Sequence, residues 1–123
     1  MIELAKDGGV WTVTINRPDK ANALMPEMLE ALCEAVEACT SKVLVLTGAG
    51  KIFCAGADLD AARAGLATSP LWERLSGAIA RFPGLTIAAL NGALAGGAMG
   101  MVLACDLRIS VPNAKIFYPV MKL

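Results

Sequence analysis

Apolar and polar residues alternate near the start of the chain. Trp11, Val13 and Ile15 stand against Thr12 and Thr14 across residues 10–16, the period of a strand with one buried face. Residues 2–6 precede it, with Asp7, Gly8 and Gly9 between, so the pattern predicts a hairpin. The period then lengthens. Pro26 opens a predicted helix at its favoured first position; Met28, Leu29, Leu32, Cys33 and Val36 share one face, and Glu27, Glu30, Glu34 and Glu37 share the other. The acidic row reads as the solvated side such a helix needs. Residues 43–46 are an unbroken branched run, the pattern of a strand buried on both sides. A short helix over 58–64 and a longer one over 70–82 follow, the latter with Leu71, Leu75, Ala78, Ile79 and Phe82 on one face and Pro83 and Gly84 as its stop. Strands over 86–90, 107–111 and 115–118, with a small-residue helix over 97–105, complete an alternation that argues for an α/β fold. Residues 65–69 are the most loop-like stretch.

Two glycine-rich turns interrupt this pattern, one over 53–59 and one over 91–99, each after a strand-like run. Glycine permits positive φ and close backbone approach, so each turn can present a bare N–H. Two preorganised amides aimed at one oxygen form an oxyanion hole, each donor worth about 2.7–4 kcal/mol by mutation. Locally, Gly96, Gly97 and Gly100 serve close helix packing equally well.

Composition narrows the chemistry. The 123 residues suit one domain over 1–123, but 56% of them are apolar and the mean hydropathy is +0.59, so surface left uncovered by a partner will associate. Lys plus Arg and Asp plus Glu are both 11, which gives no footprint for nucleic acid or for a polybasic membrane anchor. No apolar run is long enough to span a bilayer, and the first residues lack the form of a signal peptide, so the expected location is cytoplasmic. Histidine is absent, and Cys33, Cys39, Cys54 and Cys105 follow no metal-ligand spacing. They read as reduced, buried structural thiols, and no metal or cofactor is expected. Ser-His and Cys-His nucleophiles are excluded as well.

The segments 42–48 and 53–59, the run 91–98 with 104–110 behind it, and the early stretch 15–24 resemble, in order, the signatures of the enoyl-CoA hydratase/isomerase (crotonase) family. The resemblance implies a crotonase-like ββα spiral core. It also implies an oxyanion hole formed by the amides of Ala57 and Gly97, and a coenzyme A site lined by Lys20, Ala21, Ala23, Ala55 and Leu59, largely through backbone groups. The thioester is then substrate, stabilised as its enolate, and the family form is a homo-oligomer, a trimer or hexamer. Family members carry a further segment of similar length beyond the equivalent of Leu123, containing the helices that close the acyl pocket; on that pattern the chain reads as an amino-terminal half.

One departure bears on the reaction. Where the family's hydratases carry their two catalytic glutamates, this chain has Gly100 and Val120, and neither moves a proton. Candidates for acid and base are Glu73, beyond the loop, and Tyr118, two residues before Val120. Each has a plain alternative, an exposed ion pair for Glu73 and a core aromatic for Tyr118. Lys20 suits either a coenzyme A phosphate or an ordinary exposed turn. Asp58 reads as the cap of the helix that follows it, and Asp106 as structural. Proton shuffling within the acyl chain, decarboxylation and thioester hydrolysis remain open reactions, and an acyl-CoA-binding remnant without catalysis is the alternative function.

Overall fold

The computed structural model describes residues 1–117. Strands β1 (Ile2–Asp7) and β2 (Val10–Ile15) form the predicted antiparallel hairpin, with Ile2 opposite Ile15 and Asp7 opposite Val10. Helix α1 (Pro26–Ala38) then leads to β3 (Val43–Gly48), which lies parallel to β2. Strands β5 (Leu85–Leu90) and β7 (Leu107–Ser110) extend the sheet in parallel, giving five strands in the order β1-β2-β3-β5-β7. A second, three-stranded parallel sheet is built from β4 (Ile52–Cys54), β6 (Ala93–Ala95) and β8 (Ile116–Phe117). Three further helices complete the described chain: α2 (Leu59–Arg63), α3 (Leu71–Arg81) and α4 (Met99–Leu103).

The core lies between one face of the large sheet and helices α1 and α3. Val13, Ile15, Leu44, Leu46, Ala88 and Leu90 meet Met28, Leu29, Leu32, Cys33 and Val36 of α1 and Leu75, Ala78 and Ile79 of α3 in one buried cluster. The predicted faces of both helices are the ones that pack, with Leu71 and Phe82 at the margin. The four glutamates of α1 are exposed, as an amphipathic helix requires.

Several expectations are corrected. Strand β3 is not buried on both sides: Leu44 and Leu46 are buried, but Val43 and Val45 are half-buried, because the helices cover one face of the sheet only. The helix expected over 97–105 is a tight turn over Gly96–Ala98 followed by the five residues of α4, so Gly97 belongs to the turn. The loop at 65–69 contains a 3₁₀ turn, Leu66–Thr68, anchored by the buried Leu66. Cys39 is half-buried, while Cys33, Cys54 and Cys105 are buried as expected. Tyr118 and Val120 lie outside the described residues.

Candidate oxyanion site

The first glycine turn is held by the early motif. After β4, Ala55 N donates to Ala21 O at 3.1 Å, Leu24 N to Gly56 O at 2.8 Å, and Asp58 N to Leu24 O at 2.9 Å. These bonds bracket Ala57 and leave its N–H out of the ladder. Gly56 reaches φ +95, a conformation that side chains resist, and this turns the following amide away from the strand. Cys54 works behind the turn: Gly56 N donates to its Sγ at 3.4 Å, and its thiol donates to Asn22 O at 3.2 Å. Burial pushes that thiol up to about 11, so it is an inert part of the frame.

Asn22 and Arg17 tie the frame together. Asn22 is fully buried at φ +57; its Oδ1 accepts Arg17 N at 2.8 Å, and its Nδ2 donates to Ala49 O at 3.0 Å and to Ile52 O at 2.8 Å. Arg17 Nη1 donates to Ala23 O at 3.0 Å and to Asp58 Oδ2 at 3.1 Å. Asp58 caps α2, its Oδ1 accepting Ala61 N at 3.1 Å. That capping bond, with the Arg17 guanidinium beside it, holds the Asp58 carboxyl below the usual carboxylate range. The expected cap is therefore present, and Arg17 is its partner. Asp106 is structural as expected, accepting both the backbone and hydroxyl donors of Thr86.

The second turn packs on the first. Gly96 has φ +64, and a Cβ built on Gly56 would lie 3.1 Å from Ala95 O and 3.5 Å from Gly97 N. Asn91, at the head of this turn, accepts Gly48 N at 3.1 Å and donates to Gly50 O at 2.9 Å and Ile52 O at 3.1 Å. The two asparagines thus fasten both turns to the same bend between β3 and β4. Gly97 is the second residue of the short helical turn Gly96–Ala98, where first-turn N–H groups have no partner within the turn.

Two clefts meet at Ala57. One, of about 500 Å³, is lined by Lys20, Ala23, Ala55, Ala57, Leu59 and Arg63 together with Asp58 and Asp60. Four of the five residues expected at a coenzyme A site are therefore gathered with or beside Ala57. Ala21 stands behind them, its carbonyl used by Ala55. The other cleft, of about 760 Å³, is lined by Ala57, Gly96, Gly97 and Gly100 of the two turns and by Ala67, Thr68, Ser69, Pro70, Trp72 and Glu73. Glu73 is exposed and is the one titratable side chain among the described residues of this lining. The ion pair expected of it is made elsewhere: Arg74 bonds Glu37 with Nε at 2.9 Å and Nη2 at 2.6 Å, and Glu73 takes no part in the ion pairs among the described residues. Among the described residues, nothing lies within 4 Å of a Cβ placed on Gly100.

Sequence reasoning passed over Arg17, Asn22 and Trp72. The first two lie in the early motif, and polar residues beside a Pro-Asp turn were the available signal. Trp72 carried only its place on an apolar helix.

The sequence model of the enoyl-CoA hydratase/isomerase family matches residues 5–123. A probable enoyl-CoA hydratase of Mycobacterium leprae, echA6, is 34% identical over 129 residues, covering 99% of this chain and 52% of the relative. A probable enoyl-CoA hydratase of Mycobacterium tuberculosis, EchA14, is 40% identical over 121 residues, covering 90% of this chain and 47% of its own length. Among solved structures, OdaA of Pseudomonas aeruginosa aligns with a TM-score of 0.86 at 31% identity, over 98% of this chain and 51% of that one. An enoyl-CoA hydratase from Bacillus anthracis aligns with a TM-score of 0.81 at 31% identity, over 98% and 51%. The chain spans about half the length of the relatives it matches. The architecture is the crotonase fold over that span, and with the family match running through nearly every residue, the chain belongs to the enoyl-CoA hydratase/isomerase family.

Proposed function

We propose that this chain binds an acyl-CoA thioester with the coenzyme in the cleft of Lys20, Ala55 and Leu59 and the acyl group in the cleft of Trp72 and Glu73, so that the thioester carbonyl receives the amides of Ala57 and Gly97. The observation that carries this is the shared position of Ala57, which lines both clefts. A thioester lying across that junction presents its carbonyl where the two glycine turns touch. Two donors fixed there stabilise the negative charge that develops when the adjacent carbon loses a proton. Glu73 supplies the base, because a proton at that carbon needs a titratable group in the same cleft and Glu73 is the one among the described residues of its lining. The thioester is substrate and no cofactor is required for this step.

A specific observation also favours binding without hydration. Position 100 is open and bears no side chain, so the carboxylate that the family's hydratases carry there is missing. On that second reading the chain holds acyl-CoA and polarises it without adding water.

The test is deuterium uptake at the α-carbon of butyryl-CoA in D₂O, followed by mass spectrometry, alongside calorimetric binding. The leading reading requires uptake by the native chain and its loss in Glu73→Gln with Kd little changed. Saturable binding with no uptake supports the second reading. Failure to bind saturably overturns both.

A further inference from the structure

Trp72 is the one aromatic residue among the described residues that line the acyl cleft, and both ends of its indole are engaged. At one end, Nε1 donates to Leu66 O at 2.7 Å. The same carbonyl accepts Ser69 N at 3.1 Å, so the indole closes the 3₁₀ turn from within. At the other end, a Cβ placed on Gly97 would lie 3.4 Å from Cη2 and Cζ3 and 3.5 Å from Cζ2. Near-equal distances to three consecutive ring atoms put Gly97 over the face of the ring, since an edge-on approach would leave the flanking atoms farther away. The first glycine turn also abuts Gly97, its N lying 3.5 Å from a Cβ built on Gly56. Gly97 therefore sits between a rigid plate and a hydrogen-bonded turn.

We infer that Trp72 is the positioning residue that fixes the direction of the Gly97 amide and couples it to residues 65–69. The ring face sets where the Gly97 backbone lies, and the Nε1–H bond sets where the ring lies, because a half-buried indole N–H keeps its acceptor. Ala67, Thr68 and Ser69 form part of the same cleft wall, so the wall and the second donor move as one unit. The consequence for a carbonyl rests on the acyl-CoA reading; the coupling is a property of the free chain.

Amide hydrogen exchange of the free chain tests the coupling. Thr68 N is held by Gly65 O, Ser69 N by Leu66 O, and Met99 N by Gly96 O and Gly97 O, so each reports on one of the two segments. Trp72→3-benzothienylalanine, with sulfur in place of the indole N–H, keeps the outer ring over Gly97 and removes the donor to Leu66 O. Exchange at Thr68, Ser69 and Met99 should rise together by about fivefold, the factor given by one lost neutral hydrogen bond, with Val13 and Leu46 unchanged. Trp11→Phe, on β2, should leave all of these amides unchanged. A rise at Thr68 and Ser69 without Met99, or a uniform rise through the core, overturns the coupling. The carbonyl is read with trans-cinnamoyl-CoA, whose conjugated thioester absorbs to the red when its oxygen is polarised. Read with the ligand fully bound, the native chain should shift the band, Trp72→3-benzothienylalanine should retain part of the shift, and Trp72→Leu should lose most of it. A full shift in Trp72→Leu overturns the positioning role. Absence of any shift in the native chain overturns the acyl-CoA reading instead, and the exchange result still decides the coupling.

Discussion

Gly97 carries two requirements on the proposed reading. Its N–H must stay free for a ligand, and its α-carbon must admit the Trp72 ring at van der Waals distance. Gly97→Ala keeps the donor and puts a methyl 3.4 Å from the indole, at the near limit of ordinary van der Waals contact. Gly97→Pro removes the donor itself. With α-deuterium exchange of butyryl-CoA as the assay, Gly97→Pro should lose about 10²–10³-fold in rate, the cost of one oxyanion donor, while Gly97→Ala loses less. Equal rates for Gly97→Pro and the native chain, both folded by circular dichroism, would remove the amide from the mechanism. The glycines that make this site were legible in the sequence because a bare amide needs a residue without a side chain. Glu73 was legible only as one of two candidates, and its place in the cleft depends on the turn of α3 relative to residues 65–69, which no local pattern encodes.

At the scale of elements, the early motif acts as a clamp on the first glycine turn. Arg17 and Asp58 are 41 positions apart, with side chains 16% and 19% exposed, and their bond fixes the start of α2 immediately after Ala57. The Asp58 carboxyl titrates below its ordinary value, so its contribution to stability is complete above the unfolded carboxylate value of about 3.9 and is lost as pH falls through the lower folded value. Thermal melts across pH 2–6 should therefore show a shallower acid limb for Asp58→Asn than for the native chain; parallel limbs would mean that the clamp does not bear on folding. Asn22 is costlier to lose. Asn22→Ala strips a partner from Arg17 N and Ala49 O in a buried site and should destabilise by about 2–3 kcal/mol in urea titrations. The period of the sequence announced α1, α3 and the hairpin, because each is long enough to repeat its pattern. It did not announce β4 and β6. These are three-residue strands within glycine-rich turns, too short for a period, and they exist because Asn22 and Asn91 bind the bend that joins β3 to β4. Long-range polar bonds of this kind leave no periodic trace.

On the scale of the whole molecule, the high apolar fraction has a visible address. Among the described residues, strand β7 is the terminal strand of the five-stranded sheet and pairs with β5 alone. Leu107 and Ile109 share one of its faces, are 48% and 59% exposed, and are followed by Val111 at 44%; Leu103, just before the strand, is 65% exposed. An open edge bearing exposed branched side chains is a template for pairing with another chain. A single large apolar side chain contributes about 1.5 kcal/mol or more when such a surface is covered, a factor of about ten in association. Sedimentation of this chain should show a mass that rises with concentration, and Ile109→Lys, which places a charge on the edge strand and removes that burial, should raise the concentration at half-association about tenfold or more. A mass of 12.7 kDa at every concentration, for the native chain and Ile109→Lys alike, would show that the edge is protected by its own twist and by its neighbour Arg108, whose Nη1 donates to Cys105 O at 2.9 Å. Association that survives Ile109→Lys would move the contact to the exposed Ile116 and Phe117 of β8, the end of the second sheet.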